Sequence, residues 1–130
     1  MPLPEKLTDL LKRRAICYLA TTMPDGSPQL TLTWADTDGE HVIINTVIGH
    51  QKERNVRRDP RVAVAISDPE DPTHYTQLRG TVVETTEEGA EEHIEALAQR
   101  YTGRPYGWWG GRDQRRIILK IEPKRMQGTA

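Results

Sequence analysis

The sequence predicts a mainly β fold of the α+β kind, a six-stranded antiparallel barrel with peripheral helices. Six apolar or alternating segments of strand length are spaced along the chain, and most are joined by short turns such as Asp25-Gly26 and Asp38-Gly39. The first three of these segments follow one another with no helix between them. That order argues against the runner-up, a ferredoxin-like sandwich, which needs a helix after its first strand. With 130 residues the chain has room for one domain, 1–130, and one core. Phe is absent, so that core must be built from Val, Ile, Leu and Ala.

Taken in order, residues 3–14 place Leu3, Leu7, Leu10 and Leu11 on one helical face, with basic residues in the last turn, and read as a short amphipathic lid helix. Residues 15–22 read as a strand. Residues 28–36 alternate strictly, with Leu30, Leu32 and Trp34 on one face and Thr31 and Thr33 on the other. Residues 41–47 return as a third strand, so the first three strands are expected to form a meander. A helix over residues 51–58 ends before Pro60, because the residue preceding a proline avoids helical geometry. Strands follow at 61–67 and 75–84, the second with Gly80 as a bulge or close backbone approach. The longest helix opens with a Thr cap near residue 85, carries Ala90, Ile94, Leu97, Ala98 and Tyr101 on one stripe, and stops at Gly103. A Gly-rich aromatic loop, 104–113, leads to a sixth strand at 115–122 and a tail.

A formal net charge of -1 supplies no global field for a polyanion, so nucleic acid is not an expected partner. Charge is nonetheless segregated, basic from Lys52 to Arg61, acidic from Glu84 to Glu95, and basic again from Arg112 to Arg125. Cys17 is the only cysteine and cannot form an intramolecular disulfide, which suits a reducing compartment. No apolar run approaches the ~18 residues needed to span a bilayer. The expectation is a cytoplasmic protein with no membrane partner.

The stretch from Ile44 to Ile66 carries the chemistry. Gly49, His50, Gln51 and Lys52 stand where a strand turns into a helix, and the first amides of a helix have no intrahelical acceptors. Together with the helix dipole, the Lys52 ammonium and side-chain donors on Thr46 and His50, they make an anion site of the kind that binds phosphate. On pattern alone the competing reading stands, in which Lys52, Arg54, Arg57 and Arg58 form the solvated face of a short helix. No P-loop and no Gly-x-Gly-x-x-Gly motif is present.

The order Thr46-Val47, Ile48-Gly49-His50-Gln51-Lys52, Asn55, Asp59-Pro60-Arg61-Val62 resembles the phosphate-binding segment of the pyridoxamine-phosphate-oxidase-like split β-barrel flavoproteins. In that comparison Thr46 and Lys52 match the positions that hold the FMN phosphate. His50 and Gln51 depart from the oxidase, which has Ser and Arg there, as does Thr31, where it has an arginine. Residues 68–84, 94–106 and 115–126 are similar to the F420-dependent branch of the same superfamily. The resemblance implies a six-stranded split barrel that is FMN-binding-like, a homodimer, and F420 as cofactor with FMN as the alternative. It places Leu30, Thr31, Leu32 and Thr33 against the ring, and Thr46, Gly49, His50, Gln51, Lys52 and Asn55 at the phosphate. Asp71, Pro72 and Tyr75 come from the other subunit, with Tyr75 equally readable as strand-edge packing.

A reductase built on F420 needs positioning and water exclusion more than a side-chain acid or nucleophile, so no catalytic residue and no metal ligand is expected. The implied activity is hydride transfer from F420H2 to a small unsaturated or electron-poor substrate. The alternatives are an FMN-binding oxidoreductase of the pyridoxamine-phosphate-oxidase type and a non-catalytic F420-, FMN- or haem-binding protein. Trp108 and Trp109 can cover the substrate or pack beneath the loop or at a dimer interface, and Trp34 reads as core or interface. His93 is expected on a helix surface, and His41 at a strand start.

Overall fold

A computed structural model describes residues 2–128. The chain forms α1 (Glu5–Leu11), β1 (Ile16–Thr22), β2 (Pro28–Thr33), β3 (Asp36–Thr37), β4 (Val42–Val47), α2 (Gln51–Arg58), β5 (Arg61–Ser67), β6 (Tyr75–Thr86), α3 (Ala90–Thr102) and β7 (Arg116–Gly128). All strands lie in one antiparallel sheet of seven, in the order β2-β1-β5-β6-β7-β4-β3, curled into a half-barrel compatible with a split barrel. The additional strand is the two-residue β3, which pairs Asp36 with Ile43 and Thr37 with Val42 across the Asp38-Gly39 turn.

The expected meander of the first three strands does not form. β1 pairs with β2 on one side and β5 on the other, whereas β4 pairs with β7 in the register Val42↔Ile121 to Val47↔Arg116. The chain leaves β2 at Trp34 and crosses to the far edge of the sheet, because β4 is buried along its whole length and needs a long apolar partner. The strand Ile117, Leu119 and Ile121 supplies it. The tail expected after residue 122 instead continues β7 to Gly128, and Thr129 and Ala130 lie outside the described residues.

Leu7, Leu10 and Leu11 of α1 pack into one core with Leu19, Ile44, Ile66, Leu78, Leu119 and Ile121. The basic residues expected in the last turn of α1 lie just past it, from the C-cap Lys12 onward. α3 does not open on a threonine cap: its N-cap is Gly89, in the left-handed conformation (φ 77°). Its stop at Gly103 (φ 72°) and its buried stripe of Ala90, Ile94, Leu97 and Ala98 are as the spacing predicts. On β2 the alternation holds, with the leucines on the open face: Leu30 is 67% exposed and Leu32 64%.

β6 and β7 slip register between Arg79 and Gly80 and again between Val82 and Glu84. At Gly80 a Cβ would stand 2.3 Å from the Glu122 carbonyl oxygen, so only glycine lets the two backbones approach this closely. Gly80→Ala should cost about 1–3 kcal/mol, the range for overpacking a filled site. Urea denaturation checks this as a lowered midpoint with little change in slope.

Candidate functional site

Where β4 becomes α2, Gly49 takes a left-handed backbone (φ 94°) that turns the chain, and His50 caps the helix in extended geometry. No side chain caps the helix start, so its first amides remain available to a ligand. The Gly49 amide, one residue before the cap, is already engaged. It donates to Glu53 Oε1 at 2.8 Å, and Glu53, only 2% exposed, is neutralised by Arg57 Nε at 2.7 Å from Oε2. The acid of the first turn is thus held behind the elbow.

On the front of the elbow lies a cleft of about 620 Å³. Thr33, Asn45 and Thr46 line it together with four basic side chains, Arg14, His50, Lys52 and Arg116. Aromatic rings of Tyr18, Trp34, Tyr101, Tyr106 and Trp109 complete the wall, and no Asp or Glu is among the lining residues. Lys52 has no carboxylate within ion-pair distance among the described residues. Burial, and then the nearby Arg116 charge, push the Lys52 ammonium below its ordinary value, against a smaller opposing effect from Cys17. Burial likewise lowers Arg116, whose partners are neutral: its Nε donates to Asn45 Oδ1 at 2.8 Å, its Nη1 donates to the Tyr106 hydroxyl at 3.1 Å, and its Cζ stands 5.3 Å from the Tyr106 ring centre. Two desolvated cations without counter-ions draw an anion into the space between them.

The second wall comes from α3. Trp34 stacks on Tyr101 with ring centres 5.3 Å apart, and the Tyr101 hydroxyl donates to the Ala15 carbonyl at 2.7 Å. Beneath it Asp36 is a hub, 3.0 Å from His93 Nε2, 3.0 Å from Arg100 Nη2 and 3.6 Å from Lys12 Nζ. His93 therefore faces the protein and not the helix surface expected for it. In the loop above the cleft, Tyr106 is met edge-on by Trp108 and Trp109, each 5.2 Å away. Trp108 adopts a positive φ of 51°, the only such non-glycine residue described. It lies under Arg112, whereas Trp109 turns to the cleft and is 76% exposed.

Of the residues singled out from the sequence, Leu32, Thr33, Thr46, His50 and Lys52 line this cleft. Leu30 lies further along β2 on the open face, and Thr31 turns inward, its buried hydroxyl without a hydrogen-bond partner. Gln51 and Asn55 hold the helix: Gln51 Nε2 donates to Asn55 Oδ1 at 2.8 Å, and the fully buried Asn55 donates to Thr21 Oγ1 at 3.0 Å, tying α2 to β1. Asp71, Pro72 and Tyr75 stand at the β5–β6 connection, away from the cleft of the same chain. Asn45, Tyr106 and Arg116 escaped sequence reasoning. Asn45 and Arg116 meet only through the β4–β7 pairing, which a meander of the first three strands hides, and Tyr106 joins them from the loop before β7.

A curled antiparallel sheet with an anion-attracting cleft at a strand-to-helix elbow is the arrangement of a split-barrel cofactor-binding protein. The family model described as pyridoxamine 5'-phosphate oxidase matches residues 3–130, and the chain belongs to that family, one of oxidoreductase type. A solved structure named F420 reductase is 30% identical, superimposes with a TM-score of 0.80, and is covered over 98% of its length by 96% of this chain. A conserved hypothetical protein from Mycobacterium tuberculosis is 29% identical with a TM-score of 0.68, over 95% of this chain and 82% of that one. HupZ of Group A Streptococcus shares the fold at 20% identity and a TM-score of 0.69, over 98% of both chains. No helix among the described residues is long and apolar enough to cross a membrane.

Burial alone would raise the Asp36 carboxyl. The His93 hydrogen bond, the Thr37 amide and Arg100 outweigh it and hold the group well below the usual carboxylate range. A depressed folded value means that this stabilisation is complete above the unfolded value of about 4 and is lost as pH falls below it. Asp36→Asn should lower stability at neutral pH by about 1–3 kcal/mol. The gap from wild type should narrow on acidification, which denaturant titrations at a series of pH values would measure.

Proposed function

We propose that the protein is an F420H2-dependent reductase acting on a small unsaturated or electron-poor organic molecule. The observation that carries this reading is the pair of cations, Lys52 and Arg116, set without counter-ions beside the open end of α2 in a cleft walled by aromatic rings. The donor set suits a phosphate-bearing redox nucleotide, and the volume of about 620 Å³ falls in the range of small-molecule sites. Similarity to the structure named F420 reductase, at 30% identity over almost the full length of both chains, favours the deazaflavin. When bound, the reduced deazaflavin supplies a hydride. The chain's own residues bind and orient. Lys52, Arg116 and the first amides of α2 hold the phosphate, Thr46 and His50 add donors, and Leu32 and Thr33 lie along the ring. Tyr106 and Trp109 exclude water from the reacting faces. No side-chain acid or nucleophile is required.

The family match favours a second reading, an FMN-dependent oxidoreductase of the pyridoxamine-phosphate-oxidase type. The two phosphates make the same demand on Lys52 and Arg116, so the ring decides. Parallel titrations with F420 and FMN, followed by fluorescence, separate the readings: tighter binding of FMN would overturn the first. Hydride transfer from reduced F420 to none of a panel of enones, quinones and tetrapyrroles would leave a binding protein without turnover. Lys52→Ala should weaken F420 binding by about 1.5–3 kcal/mol, the range for hydrogen bonds to a charged group. Unchanged affinity would place the phosphate elsewhere.

The protein acts as a homodimer in this reading. Tyr18 (42% exposed), Leu30 (67%) and Leu32 (64%) form an apolar patch on the open face of the sheet, adjoining the cleft. A second copy packed there covers it and brings its own Asp71, Pro72 and Tyr75 towards the ring. Leu30→Glu, outside the cleft, should yield monomers in sedimentation velocity; a wild-type protein that sediments as a monomer would remove the proposal.

A further inference from the structure

We propose that Asp36, His93 and Asn45 form a positioning chain that fixes the direction in which Arg116 presents its guanidinium to the cleft. Its functional meaning rests on the cleft being the cofactor-phosphate site proposed above, but the chain is built from groups whose roles leave no choice of orientation. The Arg116 Nε–H can only donate, so the Asn45 atom 2.8 Å away must be the amide oxygen. The Ala90 carbonyl can only accept, so the Asn45 amide nitrogen lies 2.9 Å from it, as the same orientation requires. The second hydrogen of that nitrogen points at His93 Nδ1, 3.0 Å away, which must therefore be the unprotonated ring nitrogen. The ring proton then sits on Nε2 and is donated to Asp36 Oδ2 at 3.0 Å. Asp36 Oδ1 is held by Arg100 Nη2 at 3.0 Å and lies 3.6 Å from Lys12 Nζ, which anchors the far end.

Burial makes the order consequential. Asn45 is 6% exposed and Arg116 9%, so an Asn45 amide turned the other way would set its N–H groups against the guanidinium with little water to separate them. His93 supplies the acceptor that closes the last valence of Asn45. It acts through Asn45 on Arg116 and touches no cleft surface itself. His93 is a positioning residue for the anion site, one step removed from it.

The test compares His93→Leu, which removes the Nδ1 acceptor, with His93→Asn, which places an amide oxygen near the same point. Both lose the Asp36 contact and ring volume, so they differ chiefly in that acceptor. Two readouts are followed, the Arg116 Nε–H resonance by NMR and the affinity for F420. His93→Leu should broaden or shift the resonance and weaken F420 binding about 3- to 10-fold, one buried hydrogen bond's worth, and His93→Asn should restore both. An unchanged resonance in His93→Leu, or equal loss in the two variants, overturns the proposal. Should wild type bind no F420 while the resonance still follows residue 93, the positioning chain stands and the cofactor reading falls. Nitrogen shifts of the His93 ring in wild type decide the matter without any variant: a proton on Nδ1 contradicts the chain.

Discussion

An arginine buried without a carboxylate is costly, and much of the cleft is arranged around the one at the start of β7. Desolvation of an unpaired charge is tolerated only where other groups satisfy its donors, and Arg116 is met by an amide oxygen, a phenol oxygen and a ring face, all neutral. Neutral partners satisfy geometry and leave the charge uncompensated. The β4–β7 ladder brings Asn45 within reach, the aromatic loop brings Tyr106, and α3 supports Asn45 through Ala90 and His93. Each element is placed where its polar group meets one donor or the face of the same cation.

The basic helix shows the same economy of charge. Arg57 is consumed by Glu53, Arg58 by the Thr22 carbonyl and Asn55, Arg61 by Asp59, and Arg54 reaches back to Gln51. Of the five lysine and arginine residues from Lys52 to Arg61, Lys52 alone lines the cleft. The segment therefore divides, with most of its charges paired on the helix surface and Lys52 turned to the cleft. The divide falls between one turn of helix and the next. Glu53 makes that divide possible, since it takes up the Gly49 amide from inside and needs Arg57 to be tolerated there.

Local features of the fold were legible because they are written in local chemistry. The leucine spacing of α1, the limits of α2 between Gly49 and Pro60, the Gly103 stop of α3 and the Gly80 irregularity each follow from nearby residues alone. Strand order was not legible. β4 is apolar on both faces, so its sequence marks it as central without naming its neighbour, and adjacency in the chain pointed to the wrong one. The site divides in the same way. Thr46, His50 and Lys52 lie on one continuous elbow that the sequence displays, whereas Asn45 and Arg116 meet across 71 positions of chain. His93 looked like a surface residue because Asp36, which buries it, sits 57 positions earlier on a two-residue strand too short to carry a pattern.

The long β6–β7 pair is drawn together by bare backbone at one end and at its middle. Besides Gly80 against the Glu122 carbonyl, Gly128 lies where a Cβ would come within 2.2 Å of the Tyr75 carbonyl. How closely the two longest strands approach at these two points is therefore set by main chain against main chain. A side chain at either position would have to part the strands, and because none of the residues in these two contacts lines the cleft, the rings and polar groups facing it can be exchanged without touching either.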